Sequence, residues 1–165
     1  MLIGIISDTH DNLPRVDDAV RVLNRAEVGL VLHAGDYIAP FVLPRLADLD
    51  ARMIGVFGNN DGERAGLHQK QQEFGNIDIR GPFARVVAGG IKIGLLHGHD
   101  GELLEALIEG QGFDAVVCGH THRYAVERRG RSLVVNPGEV CGYVSGQSTL
   151  ALLDTESRDV LRIQL

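Results

Sequence analysis

The chain has no tryptophan, only two cysteines and no excess of positive charge. It also has no apolar run approaching the twenty or so residues that span a bilayer. Each absence removes a class of function. Two cysteines, Cys118 and Cys141, are too few for a disulfide framework, so both are expected to be reduced and packed as small apolar groups. A net charge of −6, spread along 165 residues, gives no electrostatic footprint for nucleic acid or a membrane surface. An anionic substrate would need positive charge supplied locally, and bound metal ions supply it. The first apolar segment, Leu2 to Ile6, reads as a strand opening into Asp8 and not as a signal peptide, so the cytoplasm is the expected compartment. The length fits one domain spanning residues 1–165, and no repeat, low-complexity tract or linker interrupts it.

The first half reads as β-α-β-α-β. Leu2–Ser7 is an apolar strand, and Asn12 is placed to cap a helix with Pro14 in its first turn. Gly29–His33 and Met53–Phe57 are further strands, with a helix near Phe41–Leu49 between them and a polar helix over Gly62–Phe74. Apolar strands alternating with helices predict a parallel sheet covered on both faces. The second half changes pattern. Phe83–Val87 and Ile91–Leu96 flank Gly89-Gly90, and Arg123–Arg128 and Ser132–Val135 flank Arg129-Gly130, while Thr149–Asp154 pairs with Asp159–Ile163; these read as hairpins. A helix near Glu102–Ile108 and the strand Ala115–Cys118 lie among them. The expected fold is α/β, a four-layer α-β-β-α sandwich of two mixed sheets flanked by helices, with a strand-rich and largely antiparallel second half of the chain.

Polar clusters stand where the apolar runs end: Asp8-Thr9-His10, Gly35-Asp36, Gly58-Asn59-Asn60-Asp61, His97-Gly98-His99 and Gly119-His120-Thr121-His122. Functional groups of α/β proteins collect just past the C-terminal ends of strands. A lone strand-end aspartate can simply cap a helix, and an Asn-rich stretch can be an ordinary turn. Paired imidazoles after two strands are harder to explain that way, because they would repel when protonated and a metal binds them neutral. Asp8 and His10, two apart, would point toward one ion if the chain stays extended. Two Asp, four His and one Asn form a nitrogen and oxygen donor set without thiolate. It suits Mn, Fe, Ni, Co or Zn and not Mg or Ca alone. Seven ligands exceed those of one catalytic ion, and a bridging Asp36 would let them serve two ions about 3.5–4 Å apart. His33 reads as a packing or hydrogen-bonding residue, His68 as solvated, and Asn136-Pro137-Gly138-Glu139 as a sharp turn.

Together these motifs resemble the calcineurin-like metallophosphoesterase superfamily, and in length and spacing its small bacterial and archaeal phosphodiesterase branch. The resemblance covers nearly the whole chain. It implies that Asp8, His10, Asp36 and His122 hold one divalent ion and that Asp36, Asn59, His97 and His120 hold the other. Asn59, Asp61 and His99 are the expected catalytic residues. Many members carry Gly-Asn-His-Asp, whose histidine is proposed to protonate the leaving group; here Asn60 stands in its place. An amide has no proton to give near neutral pH. The expected reaction is phosphodiester hydrolysis by metal-activated hydroxide, on a small-molecule substrate and best with good leaving groups. The exposed hairpins and the Cys141–Tyr143 loop are the candidate surfaces of a homodimer. The competing expectation is a metal-binding protein-interaction scaffold like the retromer subunit of this superfamily. A hydrolase of the other large two-metal family is disfavoured, because its His-x-His-x-Asp-His cluster is absent.

Overall fold

Three separate apolar cores explain the layering. A computed structural model describes residues 1–165 and contains eleven strands and four α-helices. In the first sheet, β1 (Leu2–Ile6), β2 (Leu30–His33), β3 (Met53–Gly55) and β4 (Ile77–Ile79) run parallel, while β10 (Thr149–Asp154) and β11 (Val160–Gln164) add antiparallel edges in the order β11-β10-β1-β2-β3-β4. The second sheet is β5 (Phe83–Ala88), β6 (Ile91–Leu96), β7 (Ala115–Val117), β9 (Ser132–Pro137) and β8 (Tyr124–Arg129), in that order.

Eighteen buried side chains, among them Ile3, Ile5, Leu32, Ile93, Leu95 and Val117, fill the space between the two sheets. Twenty more, including Val16, Leu23, Leu43 and Leu67, lie between the first sheet and α1 (Leu13–Arg25), α2 (Leu43–Leu46) and α3 (Arg64–Lys70). A smaller cluster of five, with Ile108 and Val116, packs α4 (Gly101–Glu109) on the second sheet. Central strands buried on both faces must be apolar throughout, which is why β1, β2 and β3 do not alternate. No helix is long and apolar enough to cross a membrane. Both cysteines are free and buried.

Several elements depart from the sequence reading. Both sheets are mixed, as expected, but the second half of the chain is less antiparallel than it reads: β6–β7 and β7–β9 pair in parallel, because α4 and the β8 hairpin carry the chain back across the sheet before each of those strands. The segment near Phe41–Leu49 is a short 3₁₀ turn over Pro40–Val42 followed by the four-residue α2, the two prolines limiting regular hydrogen bonding. The polar helix ends at Lys70, and the short strand β4 follows where the sequence reading placed none. Asn12 stands at the N-cap of α1 without capping it; its Nδ2 donates to the carbonyl of Cys141 instead, at 2.8 Å.

Candidate metal centre

All five predicted clusters emerge from the same edge, past the ends of β1, β2, β3, β6 and β7, and the backbone laces them together. The N–H of Asp8 donates to the Gly35 carbonyl at 3.0 Å, that of His10 to Asp36 at 3.1 Å, and that of Gly119 to His97 at 2.8 Å. The loop after β9 joins them, since Val140 and Cys141 donate to the carbonyls of Ser7 and Asp8. At Gly35, with φ of 99°, a Cβ would sit 2.7 Å from the Gly58 nitrogen, so only glycine lets these two loops touch.

The backbone of the cluster is unusual. Asp8, His10, Asp36, His120 and His122 have φ of 53°, 41°, 62°, 67° and 61°. Left-handed residues other than glycine are uncommon and tend to concentrate at functional sites. The expectation that Asp8 and His10 converge through an extended chain is therefore corrected: a left-handed turn brings them together, leaving His10 Nε2 3.8 Å from Asp8 Oδ1.

The seven side chains fall into two groups that meet at Asp36. Asp8, His10 and His122 form one, with His122 Nε2 3.5 Å from Asp8 Oδ1 and the two imidazole centroids 5.1 Å apart. Asn59, His97 and His120 form the other, with His97 Nε2 3.0 Å from Asn59 Oδ1 and its ring centroid 5.2 Å from that of His120. Oδ2 of the fully buried Asp36 lies 3.4 Å from His10 Nε2 and 3.3 Å from His97 Nε2.

The donor chemistry fits divalent cations. The Nδ1 of His97 donates to the Ala34 carbonyl at 2.8 Å, and the Nδ1 of His122 donates to Glu139 at 2.8 Å. A neutral imidazole that donates from Nδ1 offers a lone pair at Nε2. These Nε2 atoms then face further lone pairs, on Asn59 and Asp36 for His97 and on Asp8 for His122, an arrangement that a cation among them resolves. Asp8 Oδ1 and His10 Nε2 are buried with no hydrogen-bond partner at all.

Ionisation follows the same pattern. Burial opposes ionisation of Asp36, but the neighbouring His97 imidazole and hydrogen bonds from the backbone and side chain of Asn60 outweigh it and hold the carboxyl below its ordinary range. The Asp8 carboxylate, 3.8 Å away, raises His10 against the effect of burial. Burial pushes His33 down to about 3, so that imidazole is neutral. It accepts from the Gly35 N–H at 3.1 Å and stacks on Tyr37, while its Nε2 meets Thr9 Oγ1, which donates on to the Asp36 carbonyl.

Asp61 does not face the two groups. Its carboxylate accepts from the N–H groups of Asp36, Tyr37, Ile38 and Gly58 at 2.7 to 3.0 Å and is buried under them. Asn60 lies nearer, its Nδ2 donating to Asp36 Oδ2 at 2.8 Å. His99 is exposed at the rim, its ring 5.6 Å from that of His97.

Sequence reasoning passed over Glu139. It is fully buried, orients His122, and also accepts from Cys141 Sγ at 2.9 Å and Ser145 Oγ at 2.6 Å. These bonds overcome burial and hold it down to about 2, while burial and Glu139 together push Cys141 up to about 12. The signal was Asn136-Pro137-Gly138-Glu139, where a turn motif carries an acidic residue inward. Asn136 is itself structural, its Nδ2 donating to Gly119 and Thr121 and so holding the loop that carries His120 and His122.

Known proteins share this arrangement of chain. Residues 1–158 match the calcineurin-like phosphoesterase superfamily domain. Phosphodiesterase MJ0936 of Methanocaldococcus jannaschii is 39% identical over 165 residues, covering 100% of this chain and 99% of its own. A solved structure described as a novel archaeal phosphodiesterase superposes with a TM-score of 0.95, at 39% identity over 100% of both chains. Vps29 of Entamoeba histolytica, solved with Zn²⁺, shares the fold at a TM-score of 0.70 and 22% identity, over 99% of each chain. With a match that runs unbroken from β1 through β10, the chain belongs to the calcineurin-like phosphoesterase superfamily.

Proposed function

We propose that this protein is a divalent-metal-dependent phosphodiesterase with a two-ion centre, acting on small-molecule phosphodiesters. The observation that carries the reading is Asp36, whose one carboxylate oxygen lies within 3.4 Å of imidazoles from two separate groups. Asp8, His10, Asp36 and His122 would hold one ion, and Asp36, Asn59, His97 and His120 the other. Mn, Ni, Fe, Co and Zn all suit the donor set. Such ions supply Lewis acidity toward phosphoryl oxygens and acidify bound water. The 39%-identical phosphodiesterase supports the substrate class.

The protein's own groups divide the remaining work. Ala34 and Glu139 orient His97 and His122 through their Nδ1 atoms. Asp61 positions the Asp36 loop through four amides, a supporting role in place of the catalytic one expected for it. Asn59, its Oδ1 3.0 Å from His97 Nε2, would serve as a neutral ligand. His99, exposed beside His97, would contact a phosphoryl oxygen of the substrate. Asn60 cannot protonate a leaving group, so aryl diesters should outrun alkyl monoesters.

The test uses purified protein with Mn or Ni, assayed on aryl phosphodiester, aryl phosphomonoester and cyclic nucleotide substrates. Diester turnover well above that of Asp36→Asn is the expected result, and turnover equal to it defeats the reading. A second reading, an interaction scaffold, draws on Tyr143 and Val144, which are 66% and 71% exposed in the loop that leads away from Glu139. A metal-replete but inert protein would favour it.

Asn60→His probes the leaving-group argument separately. General acids contribute about 10²–10⁴-fold. A histidine here would find both Asp61 oxygens already engaged, so a smaller gain is expected: roughly tenfold on alkyl phosphomonoesters, with aryl diesters unchanged. No monoester gain would sink the account of the missing acid.

A further inference from the structure

His122 has a second neighbour besides the metal centre. It also lines a cavity of about 210 Å³ together with Arg123, Tyr124, Gln147, Thr149 and Arg162. Arg123 comes from the loop after β7 and Arg162 from the edge strand β11, so each sheet contributes one guanidinium. None of the seven lining residues is acidic.

That is unusual for a chain of net charge −6. Eight other arginines sit in ion pairs with carboxylates: Arg15, Arg21, Arg45, Arg52, Arg80, Arg129, Arg131 and Arg158. Arg123 and Arg162, like Arg25, Arg64, Arg85 and Arg128, have no such partner, and they are the two of these six that share a cavity. Arg162 is nevertheless held in place, with Cζ 5.3 Å from the Tyr124 ring centroid and a hydrogen bond from Nη2 to Gln147 Oε1. Because that bond uses the oxygen of Gln147, its amide N–H groups remain available. The hydroxyls of Ser145 and Thr149 are spent on Glu139 and the Pro137 carbonyl, so positive charge and not hydroxyl donors sets the character of the cavity.

We propose that this cavity binds a second phosphate of the substrate, so that the favoured substrates are phosphodiesters whose substituent bears a further phosphoryl group. The proposal rests on the phosphodiesterase reading and names the substrate class for the same centre. Guanidinium groups are well matched to phosphate, offering paired N–H donors and a charge that does not titrate near neutral pH. An ester whose reacting phosphorus sits at Asp36 and whose substituent passes His122 would bring that second anion to Arg123 and Arg162. Both arginines are exposed, so replacing them leaves the packed layers untouched.

The experiment compares thymidine 5′-(4-nitrophenyl phosphate) with and without a 3′-phosphate, using Mn-loaded protein and its Arg123→Gln/Arg162→Gln double variant. The expected result is kcat/KM about tenfold higher for the 3′-phosphorylated ester, carried by KM, and no such preference in the variant. The variant should hydrolyse the unphosphorylated ester within about twofold of the parent. Calorimetric binding of thymidine 3′,5′-bisphosphate and thymidine 5′-monophosphate reads the same contact without turnover. A preference of about tenfold for the bisphosphate that disappears in the variant supports the proposal even if no diester is cleaved, which would count against the activity alone. Equal kcat/KM with equal affinities overturns it, as does a preference that survives in the variant.

Discussion

Asp36→Asn is expected to abolish the activity, lowering diester kcat about a thousandfold or more, and to leave the protein unable to retain a full complement of metal. Outer groups that only orient a ligand already cost about 10–100-fold when lost. Asp36 has a larger part, since its Oδ2 is within reach of both His10 and His97. The amide removes a negative charge from the point where the two groups meet and offers one acceptor atom in place of two. The hydrogen bonds from Asn60 to Oδ1 and Oδ2 show the carboxylate already accepting on both oxygens, so a rotated amide would set an N–H₂ against a donor. Metal content by elemental analysis and turnover on an aryl diester check the result together. A variant that keeps its metal stoichiometry and works within tenfold of the parent would contradict the central place given to Asp36. Losing one acceptor for Asn60 should also cost the metal-free protein about 1–3 kcal/mol of stability.

Asp61→Ala should do the opposite, striking stability first. It leaves three buried N–H groups, at Asp36, Tyr37 and Gly58, and a half-buried one at Ile38 without their acceptor. Each unsatisfied buried donor costs about 1–3 kcal/mol, and water entering the gap recovers part of it, so a loss of about 4 kcal/mol or more is expected. For a chain of this size that is a fall in Tm of roughly 10 °C. Two of the four amides belong to residues held left-handed, Asp36 at φ 62° and Ile38 at φ 88°, so the carboxylate also confines a loop that would otherwise relax. Asp61→Asn, which keeps one acceptor oxygen, should lose roughly half as much. Differential scanning calorimetry of the metal-free proteins is the check, and a shift under about 3 °C for Asp61→Ala would show that the loop needs no such anchor.

The sequence made the layers and the clusters visible to different degrees. Runs such as Leu2–Ile6 and Leu30–Leu32 are apolar throughout, which signals strands covered on both faces. The Gly89-Gly90 hairpin turn appears where its glycines placed it, and the second turn falls one residue further on than expected, at Gly130-Arg131. The three-residue β4 was missed because Ile77-Asp78-Ile79 is too short for periodicity to register. The parallel pairs of the second sheet were missed because strand order is a tertiary property that local pattern does not encode. At the site, residue type pointed to the clusters, but the left-handed turns at Asp8, His10 and Asp36 did not show, since neither Asp nor His demands that conformation. Glu139 escaped for a related reason: its importance comes from a contact with His122, 17 residues away in sequence, that only folding creates.

The two sheets supply the centre unequally, and this has a consequence for how the molecule comes apart. Asp8, His10, Asp36 and Asn59 leave strands of the first sheet, whereas His97, His120 and His122 leave strands of the second. A cation held by both would be a further tether across the mouth of the sandwich, joining layers whose shared core is aliphatic. Chelation would then do more than silence turnover: it would release one end of the inter-sheet seam, and hydrogen exchange should quicken there first, at the ends of β1 and β6, while the distant ends stay closed.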